Sequence, residues 1–127
     1  MRYLGIDYGT KRVGVAISDS DTRLAFPYLV LPNDENLIDK ICTIIKKEDI
    51  TNVVIGDSKD FNGVDNKIML DTKKFVEILE EKTKIGVVYE PEFLSSHQAE
   101  RWQGKNENLD ASAAAIILQS FLDRSRS

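Results

Sequence analysis

The sequence predicts an α/β fold, a mixed five-stranded sheet with helices on both faces, and three observations carry the prediction. Apolar runs of strand length open the chain, helical periodicity begins at Asn33, and from there short apolar strands alternate with amphipathic helices. An antiparallel opening followed by βαβ crossovers gives a sheet with both senses of pairing and helices against its faces.

Taken in order, Tyr3 to Asp7 and Arg12 to Ser18 are apolar stretches separated by Tyr8-Gly9-Thr10-Lys11, which reads as a β-hairpin, and Leu24 to Leu31 supplies a third strand. From Asn33, the residues Leu37, Ile38, Ile41, Cys42, Ile44 and Ile45 recur at helical spacing, with Lys40, Lys46 and Lys47 between or after them. Asn52 to Gly56 is a short buried strand, followed by a polar loop containing Asn62-Gly63. A second helix is predicted from Lys67 to Thr83, with Met69, Phe75, Val76 and Leu79 in its apolar stripe, leading to a strand from Ile85 to Tyr89. Ser95 to Gln98 fits a Ser-x-x-Gln capping box for a third helix, and Asp110 opens a fourth that is rich in alanine, isoleucine and leucine. The predicted order is βββαβαβαα. Pro27, Pro32 and Pro91 are expected at strand edges or in loops.

Composition bounds what such a fold does. At 127 residues, 42% apolar and 30% charged, the chain is expected to form one domain over residues 1–127 with a single sizeable core. Cys42 is the only cysteine, which excludes an internal disulfide and a multi-cysteine zinc site. No run approaches the roughly 18 apolar residues of a membrane span, and no signal peptide precedes the first strand, so no membrane partner and a cytoplasmic location are expected. Seventeen basic against twenty-one acidic residues give a net charge of −4, which argues against sequence-blind nucleic-acid binding through a broad basic surface. A polyanionic substrate would need a local cluster of cations.

Sites in open α/β sheets gather at the carboxyl ends of the strands. Asp7 ends the first strand, Asp57 follows the second-to-last, Glu90 and Glu92 follow the last, and Asp110 starts the final helix. Crowded carboxylates repel one another unless a cation joins them, and hard oxygen ligands suit Mg²⁺ or Mn²⁺. Two such ions clamp the attacking and leaving oxygens of a phosphodiester displacement. Asp110 taken alone is explained by helix capping, whereas Asp7 adjoins a buried strand and has a desolvation cost to justify. Lys11, Arg12, Arg101 and Lys105 are candidate phosphate contacts, while Arg124 and Arg126 read as solvated charges. His97 reads as an exposed polar residue, Cys42 as a small core residue, and Trp102 as a packing residue or a base-stacking one.

The run Leu4-Gly5-Ile6-Asp7-Tyr8-Gly9-Thr10-Lys11-Arg12-Val13-Gly14-Val15-Ala16-Ile17-Ser18-Asp19 resembles the opening motif of the YqgF/RuvX family, pre-16S rRNA nucleases once described as Holliday junction resolvase-like. Leu109 to Gln119 looks like that family's Asp-x-x-Ala-Ala helix, and Val53-Val54-Ile55-Gly56 with Asn62-Gly63 resembles its central strand and loop. The resemblance implies an RNase H-like fold, a metal-dependent nuclease acting on structured RNA, and a role in ribosomal RNA maturation. It implies Asp7, Glu92 and Asp110 as catalytic acids and as ligands of Mg²⁺ or Mn²⁺; Asp57, a further candidate ligand, stands where the family has an apolar residue followed by proline.

The middle motif departs from the family pattern. Pro91-Glu92-Phe93 stands where the family has Asp-Glu-Arg, so only Glu92 is kept and Glu90 is a candidate replacement for the missing acid. In an RNase H-like sheet the strand ending at Asp57 lies beside the first, which would bring Asp57 to the metal of Asp7. Expected partners are pre-rRNA and, alternatively, branched DNA, with the protein a monomer or weak homodimer. Two other readings compete: a catalytically weakened module that docks on RNA or on a ribosome-assembly partner, motivated by Pro91 and Phe93, and an actin-like kinase, suggested only by the glycine-spaced hairpin and opposed by the chain's length.

Overall fold

The computed structural model describes residues 2–57, 67–91 and 109–126. Their elements are β1 (Arg2–Tyr8), β2 (Arg12–Ser18), β3 (Ala25–Pro32), α1 (Leu37–Lys47), β4 (Ile50–Asp57), α2 (Lys67–Thr83), β5 (Val87–Pro91) and α3 (Leu109–Arg126). The helix expected from Ser95 falls outside the described residues.

The five strands form one sheet in the order β3-β2-β1-β4-β5. β1 pairs antiparallel with β2, and β2 with β3, whereas β1 with β4 and β4 with β5 are parallel. Pro27 and Pro32 lie in β3, an edge strand, where a missing N–H breaks no ladder on the open side.

Strand alternation divides the core. Leu4, Ile6, Val13, Val15, Val53 and Ile55 pack on one face with Leu37, Ile41, Ile44 and Ile45 of α1 and Phe75, Val76 and Leu79 of α2. Ala16 and Val54 pack on the other face with Ala114, Ala115, Ile117, Leu118 and Leu122 of α3. The helical stripes read from the sequence are therefore the buried ones, and Cys42 packs half-buried against the first cluster.

Boundaries moved where backbone chemistry intervenes. α1 starts at Leu37 because Asp34 forms a turn before it, accepting from the Asn36 N–H through Oδ1 and from the Leu37 N–H through its carbonyl. Lys84 follows α2 with φ 61° and donates its N–H to Glu80, while Thr83 Oγ1 accepts from the Ile85 N–H. Ile85 is thus the exit of α2, and β5 runs from Val87 to Pro91 rather than from Ile85 to Tyr89. At the amino end of β1, Glu48 accepts hydrogen bonds from Arg2 and from the Tyr28 hydroxyl, tying the end of α1 to β1 and β3.

Candidate active site

Asp7 is half-buried near the carboxyl end of β1, opposite Gly14 of β2. It shares the α3 face with Tyr3 and Gly5, since successive strand side chains alternate. A Cβ on Gly5 would stand 2.7 Å from Leu118 Cβ and 3.0 Å from the Ala114 carbonyl oxygen, so β1 and α3 nearly touch there. Two residues back, the Tyr3 ring lies 5.6 Å from that of Phe121. These two points show that α3 runs antiparallel to β1. Two strand residues advance about 6.6 Å, which a helix covers in about four residues, so the first turn of α3, where Asp110 sits, reaches the level of Asp7.

The loop beside Asp7 is tightly determined. A Cβ on Gly9 would lie 2.5 Å from the Arg12 carbonyl oxygen, so the turn admits only glycine. Asn33 Nδ2 donates to the Gly9 carbonyl at 2.8 Å, and the Asn33 N–H donates to the Lys11 carbonyl at 2.9 Å. The turn presents Lys11 and Arg12 as exposed side chains. Asn33 was not singled out in the sequence, where it marked only a change of periodicity.

Asp57 does not join Asp7. Val53, Ile55 and Asp57 alternate onto the α1–α2 face, the face opposite Asp7. Its Oδ1 is sealed from solvent. Burial pushes the phenol of neighbouring Tyr89 above its usual range; Lys73 opposes this, and Glu80, Asp57 and Glu77 add to it. Adjacency of β4 to β1 is as expected, but alternation turns the side chain away.

Glu90 does lie on the Asp7 face. It pairs with Gly56, which continues the β1–β4 register beside Asp7, so Asp7, Gly56 and Glu90 form one cross-strand row with a glycine in the middle. Yet Glu90 is buried, 3% exposed, with Oε2 accepting from the Ser120 hydroxyl at 3.0 Å and Oε1 accepting from the Arg124 guanidinium. Arg124 is exposed, as expected of a solvated charge, and its guanidinium also pairs with this carboxylate and lies over the Phe121 ring. Pro91 is exposed at the end of β5. Glu92, Phe93, His97, Arg101, Trp102 and Lys105 lie outside the described residues, as does the side chain of Asp110. Among the described residues, no three His, Cys, Asp or Glu side chains cluster as a metal site.

T. thermophilus RuvC, solved with a Holliday junction substrate, superposes on this structure with a TM-score of 0.66 at 13% identity, covering 100% of this chain and 96% of that one. The shared architecture is RNase H-like, as the sequence resemblance implied. The model of the family described as RuvX, Holliday junction resolvase, matches residues 1–124. A relative from Maridesulfovibrio salexigens, named as a pre-16S rRNA nuclease, is 37% identical over 98% of this chain and 99% of its own. One of the same name from Caldanaerobacter subterraneus is 38% identical over 97% of this chain and 96% of its own. The protein is a nuclease, a hydrolase of phosphodiester bonds. The chain belongs to the RuvX family. No described helix is long and apolar enough to cross a membrane.

Proposed function

We propose that this protein hydrolyses phosphodiester bonds of structured RNA in the cytoplasm, in the maturation of pre-16S rRNA, at the carboxyl end of β1. The observation that carries the reading is the convergence of half-buried Asp7 and the first turn of α3 on one sheet face, beside the exposed cations of the Gly9 turn. The names of the relatives support RNA as the substrate.

The donor chemistry fits a hard divalent cation, Mg²⁺ or Mn²⁺: carboxylate oxygens from Asp7 and Asp110, with Glu92 as the third acid. When bound, such an ion supplies Lewis-acid charge and lowers the pKa of water. The chain's own residues do the rest. Lys11 and Arg12 hold the phosphate backbone from a turn that Gly9 and Asn33 keep in one conformation, so the strand is oriented before reaction and little ordering cost remains. Arg101 and Lys105 are assigned the same task from the sequence. Packing of α3 on Gly5 fixes the distance between the two acidic segments.

The test is incubation of purified protein with short structured RNA and with branched DNA, with and without Mn²⁺, beside Asp7→Asn. RNA cleavage that needs the ion and is lost in the variant is the expected result. Preferential cleavage of branched DNA would transfer the reading to junction resolution. Binding without cleavage by metal-loaded wild type would favour a docking module, the reading that exposed Pro91, standing where the family pattern has an acid, supports. Undiminished turnover by metal-stripped protein in EDTA would sink the metal-dependent mechanism.

A further inference from the structure

We propose that Glu90 is a positioning residue of the active site, a strut between β5 and α3 that sets how the helix carrying Asp110 is seated against the sheet row of Asp7. The inference rests on the nuclease reading above and assigns Glu90 a different task from the metal ligand that its sequence position suggests.

Glu90 lies in the cross-strand row of Asp7, on the same face, two strands away, at about 9–10 Å between Cα atoms. Gly56 between them has no side chain to fill the gap. An acid so placed would be a natural ligand were its oxygens available, but both are engaged, Oε2 by Ser120 and Oε1 by Arg124, and the side chain is buried. A carboxylate desolvated to this degree is held in the fold by its partners, because a buried oxygen left without a donor loses the hydrogen bonds it had with water and gains none in return.

The strut joins chain segments that the site needs in register. Glu90 precedes Glu92 by two residues, while Ser120 and Arg124 belong to the helix whose first turn carries Asp110. α3 is pinned from below by Gly5 and from the β3 side by Gln119, whose Oε1 accepts from the Ala25 N–H and whose Nε2 donates to the Arg23 carbonyl. Among the described residues, the Glu90 contacts supply the hydrogen bonds between α3 and β5. Without them, the helix keeps its seat over β1 and β2 but loses its reference to the strand that leads into the middle acid.

The experiment compares RNA cleavage, Mn²⁺ dependence and melting temperature for Glu90→Gln, Arg124→Ala, Arg124→Lys and the Glu90→Gln/Arg124→Ala double variant. Expected are a kcat at least tenfold lower in Glu90→Gln and in Arg124→Ala, KM within about twofold of wild type, and a double variant no worse than the weaker single. Arg124→Lys, which restores a cation, should recover most of the rate. The Mn²⁺ concentration for half-maximal activity, and the Mn²⁺-induced rise in melting temperature, should stay within about twofold and a degree or so of wild type.

Lowered melting temperatures with unchanged kcat would overturn the proposal and leave Glu90 a purely structural residue. A large shift in Mn²⁺ midpoint confined to Glu90→Gln would also overturn it, and return Glu90 to the ligand set. A wild type inert on RNA and on branched DNA overturns the nuclease reading together with this one, whereas an active wild type with equally active variants overturns this one alone.

Discussion

Gly5→Ala tests the link between packing and catalysis directly. The added methyl would lie 2.7 Å from Leu118 Cβ and 3.0 Å from the Ala114 carbonyl oxygen, against about 3.5–4.0 Å for a comfortable carbon contact. Neither atom is the tip of a flexible side chain, so α3 must recede by about 1 Å. Overpacking of this kind costs about 1–3 kcal/mol, and replacing a strand glycine by alanine returns roughly 0.5–1 kcal/mol of backbone entropy, leaving a net loss of about 0.5–2 kcal/mol. For a domain of this size that lowers the melting temperature by roughly 2–10 °C. The protein remains folded at 25 °C, so cleavage measured there reports geometry rather than unfolding. A displacement near 1 Å of the helix that carries Asp110 should lower kcat by about 10- to 100-fold.

Adding Leu118→Ala to Gly5→Ala should not restore the rate, because the closest clash is with Cβ, which alanine keeps. The assay is a thermal melt followed by circular dichroism together with single-turnover RNA cleavage at 25 °C. Unchanged melting and unchanged kcat in Gly5→Ala would refute the close approach, and full recovery by Leu118→Ala would show that the strain sits in the flexible end of that side chain instead.

Asp7→Asn should reduce cleavage at least 100-fold and abolish the Mn²⁺-induced rise in melting temperature, which in the wild type reflects a stabilisation of about 2.7 kcal/mol at a hundredfold excess over the dissociation constant; a full Mn²⁺ response in the variant would place the metal elsewhere. Asp57→Asn should leave the Mn²⁺ midpoint unchanged, since the side chain faces α2, and a shift as large as that of Asp7→Asn would contradict the face assignment. Asn33→Ala removes the donor to the Gly9 carbonyl and should cost about 1 kcal/mol in a urea melt, with a higher KM as the Lys11–Arg12 turn loosens; an unaltered KM would show that the turn needs no such clamp. The raised pKa of Tyr89 means that its contribution to stability is complete below the unfolded value of about 10 and is lost as pH rises through the folded value, so Tyr89→Phe should flatten the alkaline decline in melting temperature.

The two hairpin strands, the α1 stripe and the α2 stripe were legible because their information is periodic and local: Leu37, Ile41, Ile44 and Ile45 all turn inward in the structure. The extent of β5 was not, because the signal that ends α2 is a left-handed Lys84 where glycine would have announced it. Of the acids, Asp7 could be assigned to a strand end from sequence, and the face of Asp57 was already implicit in alternation from Ile55. Adjacency of strands suggested proximity, but a one-residue step decides which side of the sheet a carboxylate serves. Glu90 carried the opposite difficulty. Its face followed from alternation, while its partners lie thirty and thirty-four residues away on α3, a separation that no local pattern encodes.

The division of side-chain volume between the two sheet faces explains why the first turn of α3 comes level with Asp7. The α1–α2 face is built from Leu4, Ile6, Val13, Val15, Val53 and Ile55, and two helices stand off from it on large side chains. The opposite face has Gly5, Gly14, Ala16 and Gly56 along the central strands, met by Ala114 and Ala115 of α3. Small residues on both sides let the helix backbone come within contact of β1, and backbones in contact leave little freedom to slide. The alanines of α3 thus serve close approach as well as helix propensity, and Gly5 of β1 is the reciprocal half of the same fit. With the middle of α3 seated this closely, its first turn has one place to go, the level of Asp7. Enlarging a residue on this face therefore moves the first turn of α3 relative to Asp7, whereas the same enlargement on the α1–α2 face strains the core beneath the two other helices.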